Sequence, residues 1–181
     1  MNDDQPRPWQ KLRRRTVYES PWIHLHQDDV RLPDGSIIDG HHVVDFLRPS
    51  VGILPIGTDG RILMIEQYRF ISDSTGWAIP TGRVDEGEEL VDAAQRELHE
   101  EAGYRAVTLE QVGYYYPIIG SGDLAFHIFI GYNLEHVGEP TTPNEILQIA
   151  WFHPDEVWSM IEANTIVDGM SVTALLWYFA R

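Results

Sequence analysis

The chain has 181 residues, 43% of them hydrophobic, and this length and composition suit a globular domain with a real core and at most a small appendage. The formal net charge is −15, which disfavours binding to nucleic acid, because that binding depends on basic contacts to phosphate. Cysteine is absent, so disulfides, cysteine–zinc sites and a thiol nucleophile are excluded, and no apolar run reaches the roughly 18 residues of a membrane span.

The first 48 residues are predicted to form an arm and a hairpin. Residues 1–16 combine prolines with little periodicity, which indicates a flexible N-terminal arm. Their charges have no apolar stretch behind them, so we expect no signal peptide and a cytoplasmic location. In residues 17–48, two runs of strand-forming residues flank Pro33-Asp34-Gly35, a sequence typical of a turn. This region is therefore predicted to be a β-hairpin.

Residues 49–181 are predicted to form one mixed α/β domain. Two strands, 51–56 and 61–70, are separated by the turn sequence Gly-Thr-Asp-Gly and are expected to pair as a second hairpin. Two helices are expected near the C-terminus, one beginning at Pro154 and one ending at Phe179. The other predicted strands are residues 77–80, 107–116, 123–134 and 146–152.

An unusually acidic segment lies between these strands, in residues 82–104. A helix is predicted from Glu88 to Ala102, because Gly103 is a good stop just beyond its end. Asp85, followed three places later by Glu88, resembles a capping box that would start it.

A helical wheel places two acidic side chains on the inward face of this helix. At about 100° per residue, Glu101 lies within an apolar stripe that includes Val91, and Glu97 lies at its edge. Glu100 flanks this pair, while Glu88 lies on the side expected to face water. Two like charges on a buried face are strongly unfavourable without a partner.

A divalent cation would be a suitable partner. Arg96 can pair with Glu100 four residues on, but one arginine cannot neutralise the whole cluster. Carboxylate oxygens are preferred ligands of Mg²⁺ and Mn²⁺, which also bind phosphate oxygens. The sequence therefore predicts a Mg²⁺ (or Mn²⁺) site, with a solvated acidic helix and a structural ion-pair network as alternatives.

The same segment matches a motif known from one enzyme family. Gly82, Glu88 and the run Arg-Glu-Leu-His-Glu-Glu-Ala-Gly at 96–103 resemble the Nudix box, G-x5-E-x7-REUxEExGU, in which U is aliphatic. Only the last position departs, where Tyr104 replaces an aliphatic residue. The resemblance implies an α/β fold of the Nudix type, an α/β/α sandwich with a mixed sheet, plus a small N-terminal antiparallel sheet.

Features outside the box are similar to the ADP-ribose pyrophosphatase branch of this family. They are the hairpin with its Pro-Asp-Gly turn, the segment IEQYRF and a W-x-x-P-x-G pattern, and they fall within residues 18–178. The resemblance implies metal-dependent hydrolysis of the pyrophosphate bond in a nucleoside diphosphate linked to another moiety, such as ADP-ribose or a nucleoside-diphosphate sugar. It also implies a homodimer, because N-terminal strands in this branch often form a sheet exchanged between two subunits.

The resemblance implies roles for individual residues by their position. Glu97 and Glu101 match the main metal ligands, Glu100 a supporting acid, and the carbonyl of Thr81 a backbone ligand. Arg69 matches an arginine that contacts the substrate diphosphate. All five lie in or before the acidic helix.

The catalytic base and the substrate are less closely specified. Glu145 matches the position of a proposed catalytic carboxylate, although the residues before it differ from the branch pattern, and Glu139 and Asp123 are the alternatives. Ala78 stands where branch members commonly carry Glu, and Ile119 where they carry Pro. These two departures weaken the prediction of ADP-ribose as the specific substrate.

Other functions remain as alternatives. The chain could hydrolyse dinucleoside polyphosphates or nucleoside triphosphates, or it could bind a nucleotide without hydrolysing it. An isomerase of the same fold that acts through a cysteine is excluded, because cysteine is absent.

Two histidine pairs also raise the question of a metal site. His24 and His26 alternate on one strand face, whereas His41 and His42 point to opposite faces. Neither pair has a third candidate ligand nearby in sequence, so ordinary strand histidines are predicted.

Overall fold

The computed structural model describes residues 8–142 and 144–181, and its contacts divide the chain into two compact units. The smaller unit contains the described residues up to Leu47 together with Ile118–Leu124. The larger unit contains Arg48–Pro117 and Ala125–Arg181.

The smaller unit is built on a three-stranded antiparallel sheet in the order β1-β2-β3. Gly35 closes the turn between the last two strands, with a left-handed φ of 89° and an N–H that donates to the Leu32 carbonyl at 3.0 Å. The hairpin predicted for this region is therefore present. The strands are β1 (Gln10–Glu19), β2 (Ile23–Arg31) and β3 (Ile37–Phe46).

The flexible arm predicted for residues 1–16 differs from the structure. Residues 1–7 lie outside the described part of the chain, but β1 occupies most of the remainder. Polar cross-strand pairs hold β1 against β2, since Arg13 contacts Asp29 at 2.8 Å and Arg14 contacts Asp28 at 2.7 Å. Such pairs leave no apolar periodicity in the sequence.

In its described residues, the larger unit contains two sheets and three helices. One sheet is mixed, in the order β7-β4-β9-β8 with β4 parallel to β9, and the other is antiparallel, in the order β10-β5-β6. The elements are β4 (Ser50–Pro55), β5 (Ile62–Arg69), β6 (Ser74–Ala78), β7 (Thr81–Arg83), α1 (Leu90–Ala102), β8 (Tyr104–Tyr115), β9 (Phe126–His136), β10 (Ile146–Phe152), α2 (Pro154–Glu162) and α3 (Gly169–Phe179).

The predicted second hairpin, between β4 and β5, is wrong. The two strands belong to different sheets, and their junction is a tight turn with an isolated bridge between Ile56 and Ile62 and a hydrogen bond from the N–H of Gly57 to the carbonyl of Arg61. Both strands contain a largely apolar stretch, residues 51–56 and 62–65, and successive residues of each stretch point to opposite faces. On β4, Ile53 joins a core cluster with α1, whereas Leu54 joins a second cluster with α3. A strand that is buried on both faces forms its backbone hydrogen bonds with the strands beside it in its own sheet, and these need not be its neighbours in sequence.

The acidic helix begins two residues later than predicted. The capping interaction forms, since the N–H of Asp85 donates to the Glu88 carboxylate at 2.9 Å, but it closes a turn in the preceding loop. Glu89 is the N-cap, and Gly103 ends the helix as expected, with a φ of 73°. Val91, assigned to the apolar stripe, is instead 46% exposed. Among the described residues, no helix has the length and apolar character needed to cross a membrane.

Candidate active site

Two carboxylates of α1 lie inside the larger unit. Glu97 is 8% exposed and Glu101 is 4% exposed, and both lie on the face that carries the buried Ala94 and Leu98. The geometric prediction from the helical wheel therefore holds for both side chains. Their burial, one helical turn apart, is what gives this part of the fold its unusual electrostatics.

Glu101 is held by hydrogen bonds from two different strands. The backbone N–H of Thr81 donates to one carboxylate oxygen at 2.8 Å, and Nε2 of Gln67 donates to the other at 2.9 Å. Burial, reinforced by the negative charge of Glu97, raises the pKa of Glu101 to about 8, although both hydrogen bonds oppose the rise. A cation beside this group would displace its proton.

Glu97 lies against a glycine and an arginine. Burial raises the pKa of Glu97, opposed by the hydrogen bond that Nη1 of Arg96 donates to it at 2.7 Å. A Cβ at Gly82 would collide with the Glu97 carboxylate. The first glycine of the box is therefore required because the backbone of β7 passes directly beside this acid.

Arg96 joins four groups around the helix, of which the sequence predicted only Glu100. Its guanidinium donates two hydrogen bonds of 2.9 Å to Glu88, one of 3.1 Å to Glu100 and one of 3.0 Å to the carbonyl of Arg83. Glu88 was expected to face water, but it precedes the helix and folds back onto Arg96, which lowers the pKa of Glu88. Arg96 thus ties α1 to the loop before it.

A groove of about 540 Å³ lies beside this cluster in the larger unit. Arg69 and Glu145 both line it, because antiparallel pairing of β5 with β10 places Gln67 opposite Ile146. Gln67 also lines the groove while bonding to Glu101. The structure therefore brings Arg69, Glu145 and the buried carboxylate pair into one region.

The other residues considered as the base lie elsewhere. Glu139 lines a different depression, together with Gln148 and Ile149. Asp123 belongs to the smaller unit, where its carboxylate accepts a hydrogen bond of 2.7 Å from the backbone N–H of Phe46. Glu145 is thus the candidate that shares a groove with Arg69.

Gln67 is a site residue that sequence analysis missed. It is buried, and its Oε1 atom has no hydrogen-bond partner within the described part of the chain. A buried hydrogen-bond acceptor without a partner is unfavourable. This amide oxygen adds a third oxygen atom that could bind a metal beside the two of Glu101. Its position in the sequence could have identified it as a site residue, because Gln67 precedes Arg69 by two residues on one strand and therefore lies on the same face.

The donor set at this cluster fits a divalent cation. Buried carboxylates with a raised pKa and an amide oxygen without a partner are all hard oxygen ligands. Arg96 donates a hydrogen bond to Glu97, and burial raises the pKa of Glu101 by more than the positive charge of Arg69 lowers it. The charge of Glu101 therefore needs a further cation.

Comparison with known families gives two matches along the chain. A family described as the NUDIX domain matches residues 46–170, and one described as the nucleoside diphosphate sugar hydrolase N-terminal domain matches residues 9–44. These two ranges correspond closely to the larger unit and to the sheet of the smaller unit.

Individual relatives agree with these matches. The chain is 31% identical to the CMP-5'-(N-acetyl-N-hydroxy-3-aminopropyl)phosphonate hydrolase of Streptomyces rubellomurinus, over 93% of this chain and 81% of the relative. It is 26% identical to the ADP-ribose pyrophosphatase of Bacillus subtilis, over 91% and 89% respectively. A crystal structure of an ADP compounds hydrolase superposes with a TM-score of 0.87 at 21% identity, covering 97% of this chain and 95% of that one. The predicted fold class, including the mixed sheet, is confirmed.

Proposed function

This chain belongs to the Nudix family and is a pyrophosphohydrolase similar to ADP-ribose pyrophosphatases, and we propose that it hydrolyses ADP-ribose or a nucleoside-diphosphate sugar with the aid of Mg²⁺ or Mn²⁺. The observation that carries this proposal is the buried pair Glu97 and Glu101 beside the groove that contains Arg69. Such a pair is unfavourable without a cation, and the phosphate oxygens of a diphosphate can bind the same cation as the two carboxylates.

The residues of the chain supply the binding groups for the reaction. The groups that would hold the cation are Glu97, Glu101, Glu100 and the carbonyl of Thr81. When bound, such a cation neutralises phosphate charge and makes a water molecule more acidic. Arg69 lies on the same groove and can hold the diphosphate through paired hydrogen bonds.

Glu145 is the proposed general base. Its carboxylate accepts a proton from the attacking water as the water oxygen forms a bond to one phosphorus atom. The bond between that phosphorus and the bridging oxygen breaks, and the bridging oxygen leaves on the second phosphate. The products are two phosphomonoesters, one of which is a nucleoside monophosphate.

The second moiety of the substrate is the least specified feature. The relative from Streptomyces is named for a CMP-linked phosphonate and the relative from Bacillus for ADP-ribose, so similar chains act on different leaving groups. Phe70 and Ile71, both exposed, form an apolar part of the groove that suits a base or sugar face. The departures at Ala78 and Ile119 favour testing several nucleoside diphosphate derivatives.

The direct test is a substrate panel with Mg²⁺ or Mn²⁺, followed by separation of the phosphorylated products. We expect ADP-ribose or a nucleoside-diphosphate sugar to yield nucleoside monophosphate. Preferred cleavage of nucleoside triphosphates or dinucleoside polyphosphates would support the nearby alternative. Calorimetric binding of ADP-ribose with Mg²⁺ but no cleavage would instead support a nucleotide-binding module.

The matched test of the site is Glu101→Gln. This change keeps the shape of the side chain and removes its charge, so turnover should fall by roughly 100-fold or more, equivalent to about 2.7 kcal/mol of barrier. Glu89→Gln is the control, because Glu89 is the exposed N-cap of the same helix. Equal turnover of Glu101→Gln and the wild type would refute the proposed site.

A further inference from the structure

A second cluster of metal-ligating side chains lies on the sheet of the smaller unit. One ligand atom from each of His24, His26 and Asp45 lies within 4.8 Å of the other two. No third candidate ligand lies near His24 and His26 in the sequence. The structure supplies one across the sheet, because β2 and β3 pair with His24 directly opposite Asp45.

The hydrogen bond at the other nitrogen of His26 suits metal binding. Nδ1 of this buried histidine lies 3.1 Å from Oγ1 of Thr16, which can accept its proton. Histidines that bind metals commonly donate their second N–H to an oxygen in this way. With the proton on Nδ1, Nε2 carries a lone pair, and this nitrogen lies 3.5 Å from a carboxylate oxygen of Asp45.

In this tautomer, Nε2 of His26 and the carboxylate of Asp45 are both hydrogen-bond acceptors, and two acceptors that face each other need a positive charge between them. The opposite tautomer would donate Nε2–H to Asp45, but 3.5 Å exceeds the usual range of about 2.7–3.2 Å for such a bond. Arg14 does not satisfy Asp45 either, because its two short hydrogen bonds, at 2.8 and 2.7 Å, go to Asp28 and its nearest approach to Asp45 is 3.9 Å. The Asp45 carboxylate therefore remains able to bind a cation.

We propose that His24, His26 and Asp45 form a binding site for Zn²⁺. Two imidazole nitrogens and one carboxylate are the donor set of a zinc site with three protein ligands, whereas Mg²⁺ prefers oxygen alone. Ligands around tetrahedral zinc lie roughly 3.3 Å apart. Nε2 of His26 and the Asp45 carboxylate, 3.5 Å apart, are already close to this spacing, and a ligand atom of His24 lies within 4.8 Å of both residues. The bound ion joins β2 to β3 and stabilises the sheet of the smaller unit.

The test is a zinc titration of the full chain after treatment with a chelator and dialysis. Titrating in excess Mg²⁺ and in the Glu101→Gln background keeps zinc from the carboxylate cluster of the larger unit. We expect one zinc ion per chain by calorimetry, and at least tenfold weaker binding in His24→Ala and Asp45→Asn. His42→Ala is the control, since His42 is an exposed histidine of the same sheet that contacts Gln27 instead.

A spectroscopic measurement on the wild type makes the test independent of variant folding. In ¹H–¹⁵N spectra of the histidine rings, saturating zinc should shift the resonances of His24 and His26 and leave those of His42 unchanged. Zinc affinity within twofold of the wild type in both variants, or unmoved ring resonances, would overturn the proposal. Neither result would bear on pyrophosphate hydrolysis, which depends on residues of the other unit.

Discussion

The buried carboxyl of Glu101 links the site to the stability of the fold. Its pKa rises from an ordinary value of 4.5 to about 8 in the folded chain. Because the folded state holds this proton more tightly than the unfolded state does, the stability it confers is present below pH 4.5 and is lost as the pH rises to about 8. A divalent cation that binds the ionised form offsets this loss.

We therefore expect the effect of Mg²⁺ on stability to depend on pH. The rise in unfolding temperature produced by saturating Mg²⁺ should be larger at pH 8 than at pH 6, because fewer protons must then be displaced. Thermal unfolding at the two pH values, with and without Mg²⁺, measures this. Glu101→Gln should remove most of the difference, and an equal Mg²⁺ effect at both pH values in the wild type would contradict the assignment.

Gly82 gives a second prediction at the level of one residue. Gly82→Ala places a methyl group where the Glu97 carboxylate lies, so the acid or the strand must move. The free energy of unfolding should fall by about 1–3 kcal/mol, as in other overpacked sites. Gly169→Ala is the control, because nothing lies within 4 Å of its added Cβ. Urea denaturation of both variants makes the comparison, and equal stability would count against the observed packing.

At the scale of elements, α1 was predictable because its information is local. Helical periodicity alone placed Glu97 and Glu101 on the inward face. The start of the helix was missed by two residues, because the interaction of Asp85 with Glu88 closes a separate turn. The pairing of β4 and β5 was predicted wrongly, because continuous apolar runs specify burial without specifying the neighbouring strand.

Arg96 is the residue that joins α1 to the preceding loop. Arg96→Lys keeps the charge but cannot reproduce the paired bonds to Glu88 together with those to Glu100 and the Arg83 carbonyl. We expect turnover to fall by roughly 10- to 100-fold, as for other residues that position metal ligands. The apparent Mg²⁺ requirement should rise as well, which distinguishes positioning from a general loss of folded protein.

The control for this prediction is Arg105→Lys, which changes an exposed arginine on β8. Mg²⁺ titrations of the activity of both variants make the comparison. An unchanged Mg²⁺ requirement in Arg96→Lys, with lower turnover explained by a smaller folded fraction, would assign Arg96 a structural role only.

At the scale of the whole molecule, the charge distribution supports the proposed requirement for a metal ion. Residues 51–181 hold six basic and twenty acidic side chains. The net negative charge of this region would repel an anionic diphosphate. The sequence predicted this requirement, but not the neighbours of the acids. Gln67, Arg69 and Glu145 come together through the pairing of β5 with β10, and such non-local pairing leaves no mark in either strand alone.

The exposed face of β1 supports the homodimer implied by the resemblance. Every residue of this strand is exposed, and its large apolar side chains include Leu12, Val17 and Tyr18. In the described residues β1 pairs with β2 alone, so its other edge is available. An exposed apolar edge strand is a surface that a second copy of the sheet can cover.

We expect a solution mass of about 42 kDa, twice the 20.8 kDa of one chain, by light scattering at micromolar concentration. Val17→Asp should shift the population toward monomer, because a charge at a buried interface is unfavourable. Val107→Asp is the matched control, since Val107 is an exposed valine on β8 of the larger unit. A wild-type chain that stays monomeric, or two variants that dissociate equally, would show that β1 is not the dimer contact.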